Sequence, residues 1–473
     1  MIKFFGENFE LDLSHLKITL VEENNIFHKS FLRNYSLPFS FRLDDETSKK
    51  LGFIGDYNSR NRKVKHSGNF LYGDNFAEGN LLLSYVSKGV VQGTVNYGKS
   101  AIELLEVPLR ELPFPAVDVP NILTHAKDTI DKAWPEVGYN FPMIIDESIS
   151  LKNYYQHFEG IINKTDGSSN FITNNSVVEE GKSVPYNRNV IAPCVYLMEI
   201  LKVGFDSANI VMTGNFVNDK VNEKILIYLD NYLESYSSDK VNLHQTSFEL
   251  TDFVPEMTFG AFLNKIKNWL NLDIRFRKNI VTINYQEQGF KNISFPDMSY
   301  LENDGVRINM NDKKIYTLVY DKSTKISVDA KSNLVAGSNY TVNDVETINM
   351  DLSVLNEDTL GAITTATVTE DQEPFKILLY NGLQSGYNVS PQTVFGRSFD
   401  VASIFHRFWK NWIAFRLNTS LFTDNYQTDQ DDLKIDSGMY KYDNKHIIKK
   451  ITRKFSGNEE GDLDITVESE VIF

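Results

Sequence analysis

The segment 16–52 constrains the fold more than any other stretch, because alternating apolar residues flank a polar break. Ile18 and Leu20 alternate with polar residues, and an irregular stretch occupies 22–34. Large apolar side chains then recur at every second position, at Tyr35, Leu37, Phe39, Phe41 and Leu43. A period of two places such side chains on one face of an extended chain. The segment is therefore predicted to contain two half-buried strands.

This segment contains two further features, a proline and a predicted helical turn. Pro38 lies inside the second alternating run, and its missing N–H is tolerated at a sheet edge or beside a bulge. Residues 44–53, with the sequence DDETSKKLGF, predict a short helical turn that ends at Gly52. The order is therefore strand, irregular stretch, edge or bulged strand, helical turn.

Length and composition set the class of protein. A chain of 473 residues predicts about three domains of roughly 150 residues each. The 32 Phe and 23 Tyr favour β structure. The single cysteine, Cys194, excludes an intrachain disulfide framework. No secretory signal peptide is recognised at the N-terminus, and no apolar stretch approaches the roughly 20 residues that span a bilayer. We expect a soluble protein made in a reducing cytoplasm.

The first part of the chain, residues 1–112, is predicted to be mostly β. Its further strand candidates are 80–86, 90–97 and 102–109, separated by glycines. A cluster of three prolines then predicts a boundary or linker near 113–120.

The middle part, residues 113–295, is predicted to mix helices and strands. Proline at the first turn and glycine past the last predict a helix from Pro193 to Gly204. A strand at 209–213 and an apolar segment at 224–233 follow.

The pattern at 258–271 is the clearest helix in the chain. Apolar residues form one wide stripe, at Phe259, Phe262, Leu263, Ile266, Trp269 and Leu270. Residues 273–277 and 280–285 then predict a hairpin that turns at Lys278 and Asn279.

The last part, residues 296–473, returns to β structure. A second amphipathic helix is predicted at 401–415, with Phe405, Phe408, Trp409, Trp412 and Ile413 on one side. Acidic residues predict a solvated loop at 424–436. The final strand has its apolar residues in register, at Leu463, Ile465, Val467, Val471 and Phe473.

The two amphipathic helices share a small pattern. Phe262 precedes Lys267-Asn268-Trp269 by the same offset at which Phe405 precedes Lys410-Asn411-Trp412. Coincidence between two aromatic-rich helices and an ancient duplication both explain it.

Two stretches carry a resemblance to a known family. The order "ITLVEENNIFHKSF…YSLPFSFRLDDETSKKLGF" resembles the N-terminus of phage tail hub proteins, the trimeric baseplate-hub family. The match is clearest with hub-like proteins of Bacteroidetes phages, which are related to the hubs of contractile tails and type VI secretion spikes. The phrase "FELTDFVPEMTFGAFLNKIKNWLNLDIRF" resembles the helix and hairpin of the family's middle region. The resemblance is dispersed over roughly the whole chain.

The resemblance implies a fold and a role. The fold would be β-rich α+β, with an N-terminal tube-like barrel in 1–112, an α+β middle region in 113–295, and a second tube-like barrel with C-terminal strands in 296–473. Three copies would present six similar barrels, and so adapt a six-fold tail tube to a three-fold tip. Closed rings of this kind have interfaces that repeat around an axis.

The resemblance also implies partners and a location. The partners would be two further copies, tail tube or distal tail proteins, a spike or central fibre, and a tape measure protein, with DNA only as passing cargo during genome ejection. The protein would belong to the virion tail of a phage or to a phage-derived injection device, and would be assembled in the bacterial host cytoplasm. The family supplies no catalytic, cofactor-binding or metal-binding residue, so we expect a structural protein and no enzyme.

The net charge of −15 argues against a protein that reads nucleic-acid sequence, because such a protein shows a basic patch. Two interpretations of the acidic balance stay open. One is ordinary solubility. The other is a tube whose negative lumen repels the passing DNA.

One motif predicts a different chemistry. Residues 93–100, GTVNYGKS, match the phosphate loop of nucleotide hydrolases, in which Lys99 would contact phosphates and Ser100 would bind magnesium. The run ILIYLD, ending at Asp230, resembles the second metal-holding motif. However, Thr94, Val95 and Tyr97 favour a strand over a loop that curls around an anion. A hairpin that turns near Gly98 is therefore preferred.

Other catalytic patterns are missing from the sequence. The eight histidines are scattered, at His15, His28, His66, His125, His157, His244, His406 and His446. They form no zinc motif with the single cysteine. His406 is predicted to be a packing or surface residue. Asp429, Asp431 and Asp432 lack the glycine that an EF-hand loop needs, and no serine-hydrolase elbow is present.

Two alternatives to the structural hub remain. The first is a receptor- or glycan-binding tail protein, which predicts exposed aromatic patches, whereas a hub predicts Phe and Tyr in cores or subunit contacts. The second is a nucleotide hydrolase that binds ATP through Lys99.

Overall fold

Strands dominate the secondary structure. The computed structural model describes residues 1–473 except 28–33, 57, 61, 99–101, 152–156, 237–239, 278, 292, 302–304, 311–312, 321–323, 330, 332, 334–343, 351, 362, 370–374, 429–431, 458–462 and 473. Strands make up 44% and helices 20% of the structure, which confirms the predicted β-rich class.

The strands are numbered in chain order. The first eighteen are β1 (Ile2–Gly6), β2 (Glu10–Asp12), β3 (Ile18–Glu23), β4 (Asn34–Ser36), β5 (Phe39–Arg42), β6 (Lys65–Tyr72), β7 (Asn75–Ser87), β8 (Val90–Tyr97), β9 (Ala116–Asp118), β10 (Tyr139–Asn140), β11 (Ile144–Ile145), β12 (Ile161–Ile162), β13 (Asn175–Glu179), β14 (Lys182–Tyr186), β15 (Cys194–Tyr196), β16 (Val211–Thr213), β17 (Ile225–Tyr228) and β18 (Ser235–Tyr236). The others are β19 (Asn242–Leu243), β20 (Ser247–Glu249), β21 (Leu272–Arg277), β22 (Ile280–Tyr285), β23 (Val306–Met310), β24 (Ile315–Val319), β25 (Lys325–Asp329), β26 (Val345–Asn349), β27 (Ser353–Val354), β28 (Asn356–Leu360), β29 (Ile363–Thr367), β30 (Lys376–Leu379), β31 (Thr393–Val394), β32 (Arg397–Ser398), β33 (Ser420–Thr428), β34 (Gly438–Lys441), β35 (Asn444–Phe455) and β36 (Leu463–Ile472).

The helices are short, and the longest has 12 residues. They are α1 (Asp45–Lys50), α2 (Ile122–Thr129), α3 (Leu197–Ser207), α4 (Phe259–Leu270), α5 (Gln286–Lys291), α6 (Val401–Ile404) and α7 (Lys410–Asn418). A π-helical turn, Phe405–Trp409, joins α6 to α7. No helix among the described residues is both long enough and apolar enough to cross a membrane.

The chain folds into two compact units. Unit 1 contains Met1–Glu103, Gln286–Lys314 and Asn411–Phe473, and unit 2 contains Leu104–Tyr285 and Ile315–Lys410. Both units combine segments that are distant in sequence. The division into 1–112, 113–295 and 296–473 stays a prediction.

Unit 1 is built on one large sheet. Its main strand order is β2-β1-β6-β7-β8-β4-β3-β35-β36-β33-β23, and β5 and β34 pair alongside this path. The path of the described strands stays open and does not close into a barrel. Strands from both ends of the sequence therefore share one hydrogen-bonded ladder, through the pairing of β3 with β35.

Unit 2 contains several small sheets. The largest has five strands in the order β10-β15-β17-β30-β27, and the others have two to four strands. Its main core lies around the five-stranded sheet, where Cys194, Tyr196, Leu226, Tyr228 and Leu378 are buried.

Buried asparagines link the loops of unit 2. The side-chain amide of Asn163 donates to Pro142 O at 2.9 Å and to Ala192 O at 2.8 Å, and its Oδ1 accepts from Ala192 N. Asn388 donates to Phe141 O and to Asn163 O, at 2.6 and 2.9 Å. Both side chains have no exposed surface. Their amides therefore satisfy backbone groups that no strand ladder reaches.

The N-terminal pattern is confirmed in part. Ile18 and Leu20 are buried in β3, and α1 is followed by Gly52 at a φ of +69°. Pro38, however, divides the second alternating run into β4 and β5. Leu37 is 45% exposed, and Tyr35 is opposite Asn96 of β8 whereas Phe39 is opposite Gly93, which places Tyr35 and Phe39 on different faces. The prediction of one shared face was therefore wrong for Leu37 and Tyr35. The alternation changes phase there because the proline interrupts the ladder.

Residues 102–109 do not form the predicted strand. They contain the 3₁₀ turn Glu103–Glu106 and the start of another, Leu109–Glu111. The turns bury the adjacent side chains of Leu104 and Leu105 together. A strand would have sent these two neighbours to opposite faces.

The helix predicted from Pro193 to Gly204 is shifted. Residues Cys194–Tyr196 form a buried strand, and α3 begins only at Leu197. Gly204 lies inside α3, where an added Cβ would be 2.3 Å from the ring carbon Cε2 of Phe259. The glycine therefore marks a close helix contact and not a helix end.

The helix at 258–271 and its hairpin are confirmed. Thr258 caps α4 by accepting a hydrogen bond from Ala261 N at 3.2 Å, and Asn271 ends it in the left-handed region at a φ of 49°. All six residues of the predicted stripe are buried. The strands β21 and β22 pair as the predicted hairpin, while Lys278 lies outside the described residues.

The second amphipathic helix is also confirmed, with two additions. Its five predicted apolar residues are buried, and the helix continues to Asn418. Its middle is a π-helical turn. The Asn271 amide donates to Phe408 O at 2.8 Å, so the end of α4 contacts the π-helical turn of the second helix. Their duplication stays a prediction.

The acidic stretch 424–436 is not a solvated loop throughout. Asp424 lies in β33 and has no exposed surface, and Leu433 and Ile435 are buried. The prediction was wrong there because charge content alone does not reveal a buried partner network. Four of the five apolar residues predicted for the last strand are buried in β36, and Phe473 lies outside the described residues.

Candidate functional site

The candidate site is the large sheet of unit 1. Strand β3 pairs with β35 over six residue pairs, from Ile18 opposite Phe455 to Glu23 opposite Lys450. Directly paired residues project from the same face of a sheet. The registers of the ladders therefore assign the side chains of the paired positions to one of two faces.

One face carries two hydrophobic cores. In the N-terminal half, Ile18, Leu20, Phe4 and Phe70 belong to a single buried cluster. In the C-terminal half, a second buried cluster contains Tyr426, Met439, Ile451, Ile465 and Val467. The registers place Ile18 beside Phe455, which packs against both clusters. The two cores thus lie side by side on one face, which we call the core face.

The opposite face is mostly polar. The registers also place apolar side chains on it, at Phe5, Val21, Tyr35, Leu71, Phe76, Leu82 and Leu421. We call it the polar face, and its residues include Lys3, Glu10, Asp12, Asn69, Glu78, Gln92, Thr94, Asn96, Thr19, Lys450, Thr452, Lys454, Asp464, Thr466, Glu468, Asn425 and Gln427. Most of these side chains are partly or fully exposed. A sheet with one packed and one solvated face is typical of antiparallel sheets.

Charges on the polar face are interleaved. Lys450 Nζ lies 3.7 Å from Glu468 Oε1, and Lys3 Nζ lies 2.5 Å from Glu10 Oε1. Lys454 is directly opposite Asp464 in the ladder. The registers therefore pair basic and acidic residues, and this face presents no basic stripe to a polyanion.

A buried ion pair joins the two halves of the sheet. Arg453 Nη1 lies 2.9 Å from Glu22 Oε2, and both side chains are less than a tenth exposed. Tyr72 donates to Glu22 Oε1 at 2.9 Å, and Tyr97 does so at 3.4 Å. Burial and the Glu22 charge raise the pKa of Tyr97 well above its ordinary value, so the phenol stays a donor. The carboxylate of Glu22 in β3 is held by partners from three other strands, β6, β8 and β35.

The main path of the sheet ends in two edge strands, β2 and β23, while β5 and β34 pair alongside it with β8 and β35. Among the described strands, β2 pairs only with β1 and β23 only with β33. Each therefore has one side without a ladder partner in the described part of the chain. Such edges are templates for pairing with another chain.

A second polar cluster lies near the C-terminal core. Ser469 Oγ is 3.2 Å from His446 Nδ1, and His446 Nε2 is 3.1 Å from Lys441 O. Because a carbonyl only accepts, Nε2 carries the proton and Nδ1 accepts from the serine. Tyr442 donates to Asp424 Oδ1 at 2.5 Å. Burial lowers the pKa of His446, which favours this neutral form.

This serine and histidine are not arranged for hydrolysis. Ser469, His446 and Asp424 all have no exposed surface. A nucleophile must reach its substrate within hydrogen-bonding distance. The cluster therefore stabilises the β33–β36 region, and sequence patterns missed it because its members are spread over 424–469 without a motif.

The phosphate-loop motif is mostly strand. Gly93 to Tyr97 belong to β8, where Gly93 is opposite Phe39 on one side and Leu83 on the other. Backbone groups engaged in two ladders cannot curl around a phosphate. Lys99 and Ser100 lie outside the described residues. Asp230, the acid of the second motif, has Lys376 Nζ 3.2 Å from its Oδ1.

Metal ligands are not gathered anywhere in the described residues. No group of three or more His, Cys, Asp or Glu side chains is placed to hold a metal ion there. His406 is exposed, which agrees with its predicted role as a surface residue. His28, Asp429 and Asp431 lie outside the described residues. Burial raises the pKa of the Cys194 thiol, which keeps it protonated.

No protein-family model and no curated protein sequence matches this chain. Among solved structures, the chain is similar to the prophage tail protein gp18 of Listeria monocytogenes, with a TM-score of 0.34 and 9% identity over 99% of this chain and 94% of that one. It is also similar to the E. coli c3393 protein, with a TM-score of 0.34 and 8% identity over 99% of this chain and 76% of that one. That protein is described as a component of the type VI secretion system with structural similarity to the T4 tail proteins gp27 and gp5. At these TM-scores neither similarity carries an argument about fold or function.

Proposed function

We propose that this protein is a structural hub of a phage tail or of a phage-derived injection device. In this role three copies form a ring that adapts a six-fold tail tube to a three-fold tip, spike or central fibre. Each half of the unit 1 sheet, with its own core, would supply one tube-like barrel. The observation that carries the proposal is the single sheet with two adjacent cores on one face and a polar opposite face.

The sheet has the properties that a conduit wall requires. A wall needs one face that packs against the protein and one that tolerates water and cargo. The polar face has interleaved charges, so passing DNA would meet no basic stripe to which it binds. The free edges at β2 and β23 would let successive copies extend the sheet around an axis.

The aromatic residues favour the hub over a glycan-binding tail protein. Among the described residues, the exposed Phe and Tyr side chains are few, and they are Phe53, Phe76, Tyr300, Phe395 and Tyr442. Most other Phe and Tyr side chains are buried or partly buried. A glycan-binding surface would group several exposed rings in one patch.

Native mass spectrometry of the purified full chain, with electron microscopy of the same sample, tests the proposal. We expect complexes of three copies that appear as rings with a central channel. A protein that stays monomeric across the micromolar range, or forms rings of another order, contradicts the hub. Binding of the monomer to host glycans on an array would favour the receptor-binding alternative instead.

The remaining partners follow from the same proposal. The ring would contact tail tube or distal tail proteins on one side and a spike or fibre on the other, and a tape measure protein would enter the channel. Its place would be the virion tail. The proposal assigns no catalytic residue and no cofactor.

A further inference from the structure

The edge strand β23 combines two features that rarely stay exposed together. In the described part of the chain its ladder partner is β33, so the backbone groups on its other side have no strand to pair with. Three of its five side chains are apolar and exposed, with Val306 at 36%, Ile308 at 51% and Met310 at 81%. Natural edge strands are usually protected by lysine, proline or a bulge. Here Arg307 is the only charged residue of the strand.

The exposed apolar residues lie on the core face. Val306, Ile308 and Met310 are opposite Asp424, Phe422 and Ser420 of β33. Asp424 is in turn opposite Val467, a member of the C-terminal core. The apolar face thus continues to the edge strand but loses its cover there, which leaves the end of a core open to solvent.

The other edge of the same sheet has the matching pattern. In β2, Leu11 is opposite Phe4 and belongs to the N-terminal core on the core face. Glu10 and Asp12 are exposed and lie on the polar face. In β23 the polar face carries Arg307 and Asn309. If the two edges met, apolar residues would continue the core face and Arg307 would lie near two carboxylates.

The strand directions fix the geometry of such a contact. Every neighbouring pair along the main path is antiparallel, so directions alternate from β2 to β23. The path contains eleven strands, an odd number, so its first and last strands run the same way. Rotation about a ring axis preserves the component of each strand's direction along that axis. The edges of two successive copies would therefore run parallel.

We infer that β23 of one copy pairs in parallel with β2 of the next copy, with Ile308 beside Leu11 and Arg307 near Glu10 and Asp12. The occupant of the open core end is thus a second copy of this chain. This seam deepens the proposed function and rests on it. It is heterologous, because each copy contributes a different edge, and such contacts close into rings when the rotation permits.

Charge substitution at the apolar positions tests the seam. In full-length Ile308→Asp/Met310→Asp we expect the concentration at which rings dissociate to rise roughly tenfold or more, because two buried anchors become charged. The matched control is Val178→Asp on the hairpin of β13 and β14, where the valine is 75% exposed. It should assemble like the wild type. Circular dichroism on each variant shows whether the chain remains folded.

Cysteine cross-linking tests the same seam without burying a charge. Glu10→Cys and Arg307→Cys replace exposed side chains, and the native Cys194 is buried. When the two single variants are mixed under mild oxidant, we expect a cross-linked pair that neither variant forms alone. Cross-linking of Arg307→Cys with itself would show that β23 pairs with its own copy, and would overturn the inference.

The outcomes separate the seam from the proposed function. If the wild type forms three-fold rings that also form in Ile308→Asp/Met310→Asp, the seam is wrong and the hub proposal stands. If the wild type forms no ring at all, the hub proposal fails and the seam fails with it. Loss of rings in the double variant, with the cross-link in the mixture, supports both.

Discussion

The two units satisfy their backbone hydrogen-bonding groups in different ways. Unit 1 uses one long ladder of strands, with pairings such as β35 with β36 that extend over ten residue pairs. Unit 2 has short strands, and buried asparagine amides bond to the backbone where strands are missing. A ladder is regular, and its main path leaves an edge strand at each end. A side-chain network is irregular and satisfies the backbone of loops that no ladder reaches.

The largest effect expected is at the ion pair that joins the halves of the unit 1 sheet. Arg453→Met leaves the Glu22 carboxylate buried without its cation, and also removes the hydrogen bond from Arg453 Nη2 to Leu433 O. Loss of one partner of a buried pair costs about 3–5 kcal/mol. Urea denaturation measures the free energy of unfolding.

Two companion variants sharpen this prediction. Lys202→Met breaks the exposed pair with Asp206 and should cost less than about 1 kcal/mol. Adding Glu22→Gln to Arg453→Met removes the unpaired charge, so the double variant should recover part of the loss. A loss at Arg453 no larger than at Lys202 would contradict the buried pair.

In unit 2 the corresponding substitution is Asn163→Ala. It leaves three backbone groups of Pro142 and Ala192 without partners and places alanine at a φ of 56°. We expect a loss of about 3 kcal/mol in the free energy of unfolding, from the unsatisfied groups and the left-handed backbone.

Asn163→Gly separates the two causes, because glycine tolerates that φ. It should lose about 1 kcal/mol less than the alanine variant. The control Asn175→Ala changes an exposed asparagine and should stay within about 0.5 kcal/mol of the wild type. Equal stability of all three variants would show that the network is not structural.

A smaller effect is expected from pH. Burial lowers the pKa of His244 in unit 2 from 6.5 to about 4. The folded state therefore binds a proton less readily than the unfolded state. This histidine costs little at pH 7 and above, and destabilises the fold increasingly as the pH falls through 6.5 towards 4. The loss at pH 5 should be about 2 kcal/mol.

Denaturation at pH 7 and pH 5 measures this dependence. His244→Gln should reduce the loss of stability between the two pH values, whereas His15→Gln, at an exposed position, should leave it as in the wild type. An unchanged pH dependence in His244→Gln would exclude the buried imidazole as its source.

The smallest effect is expected at a helix contact of unit 2. In Gly204→Ala the new methyl group would lie 2.3 Å from the ring of Phe259, so the ring must move. Alanine gains about 1 kcal/mol over glycine inside a helix, and overpacking costs about 1–3 kcal/mol. We expect a net loss of about 1 kcal/mol, measured by thermal denaturation. With Phe259→Leu in the background, Gly204→Ala should instead be neutral or stabilising.

The local pattern predicted the elements whose cause is local. The stripe and caps of α4 and the hairpin of β21 and β22 depend on neighbours within about 30 residues, and both are confirmed. The alternation failed at Leu37, because Pro38 changes the phase of a strand in a way that periodicity does not show. Gly204 was misinterpreted because a glycine that ends a helix and one that admits an aromatic ring look alike in sequence.

The candidate site was beyond prediction from local patterns for a different reason. Its defining contact is the pairing of β3 with β35, and strand partners distant in sequence carry no local signal. The burial of Asp424 depends on Tyr442, and that contact likewise belongs to the folded sheet. The β-rich class could be inferred, but the single open path and its two side-by-side cores could not.

The pairing of β3 with β35 also determines when the large sheet can be completed during translation. Their partners are separated by about 430 residues, which a ribosome adds in roughly 20–90 s at 5–20 residues per second. Throughout that interval β3 has emerged but its later neighbour does not exist. During translation, β3 would therefore lack the strand with which it pairs on one side. We expect the nascent N-terminal half to need a chaperone, or to fold slowly, until β35 has been synthesised.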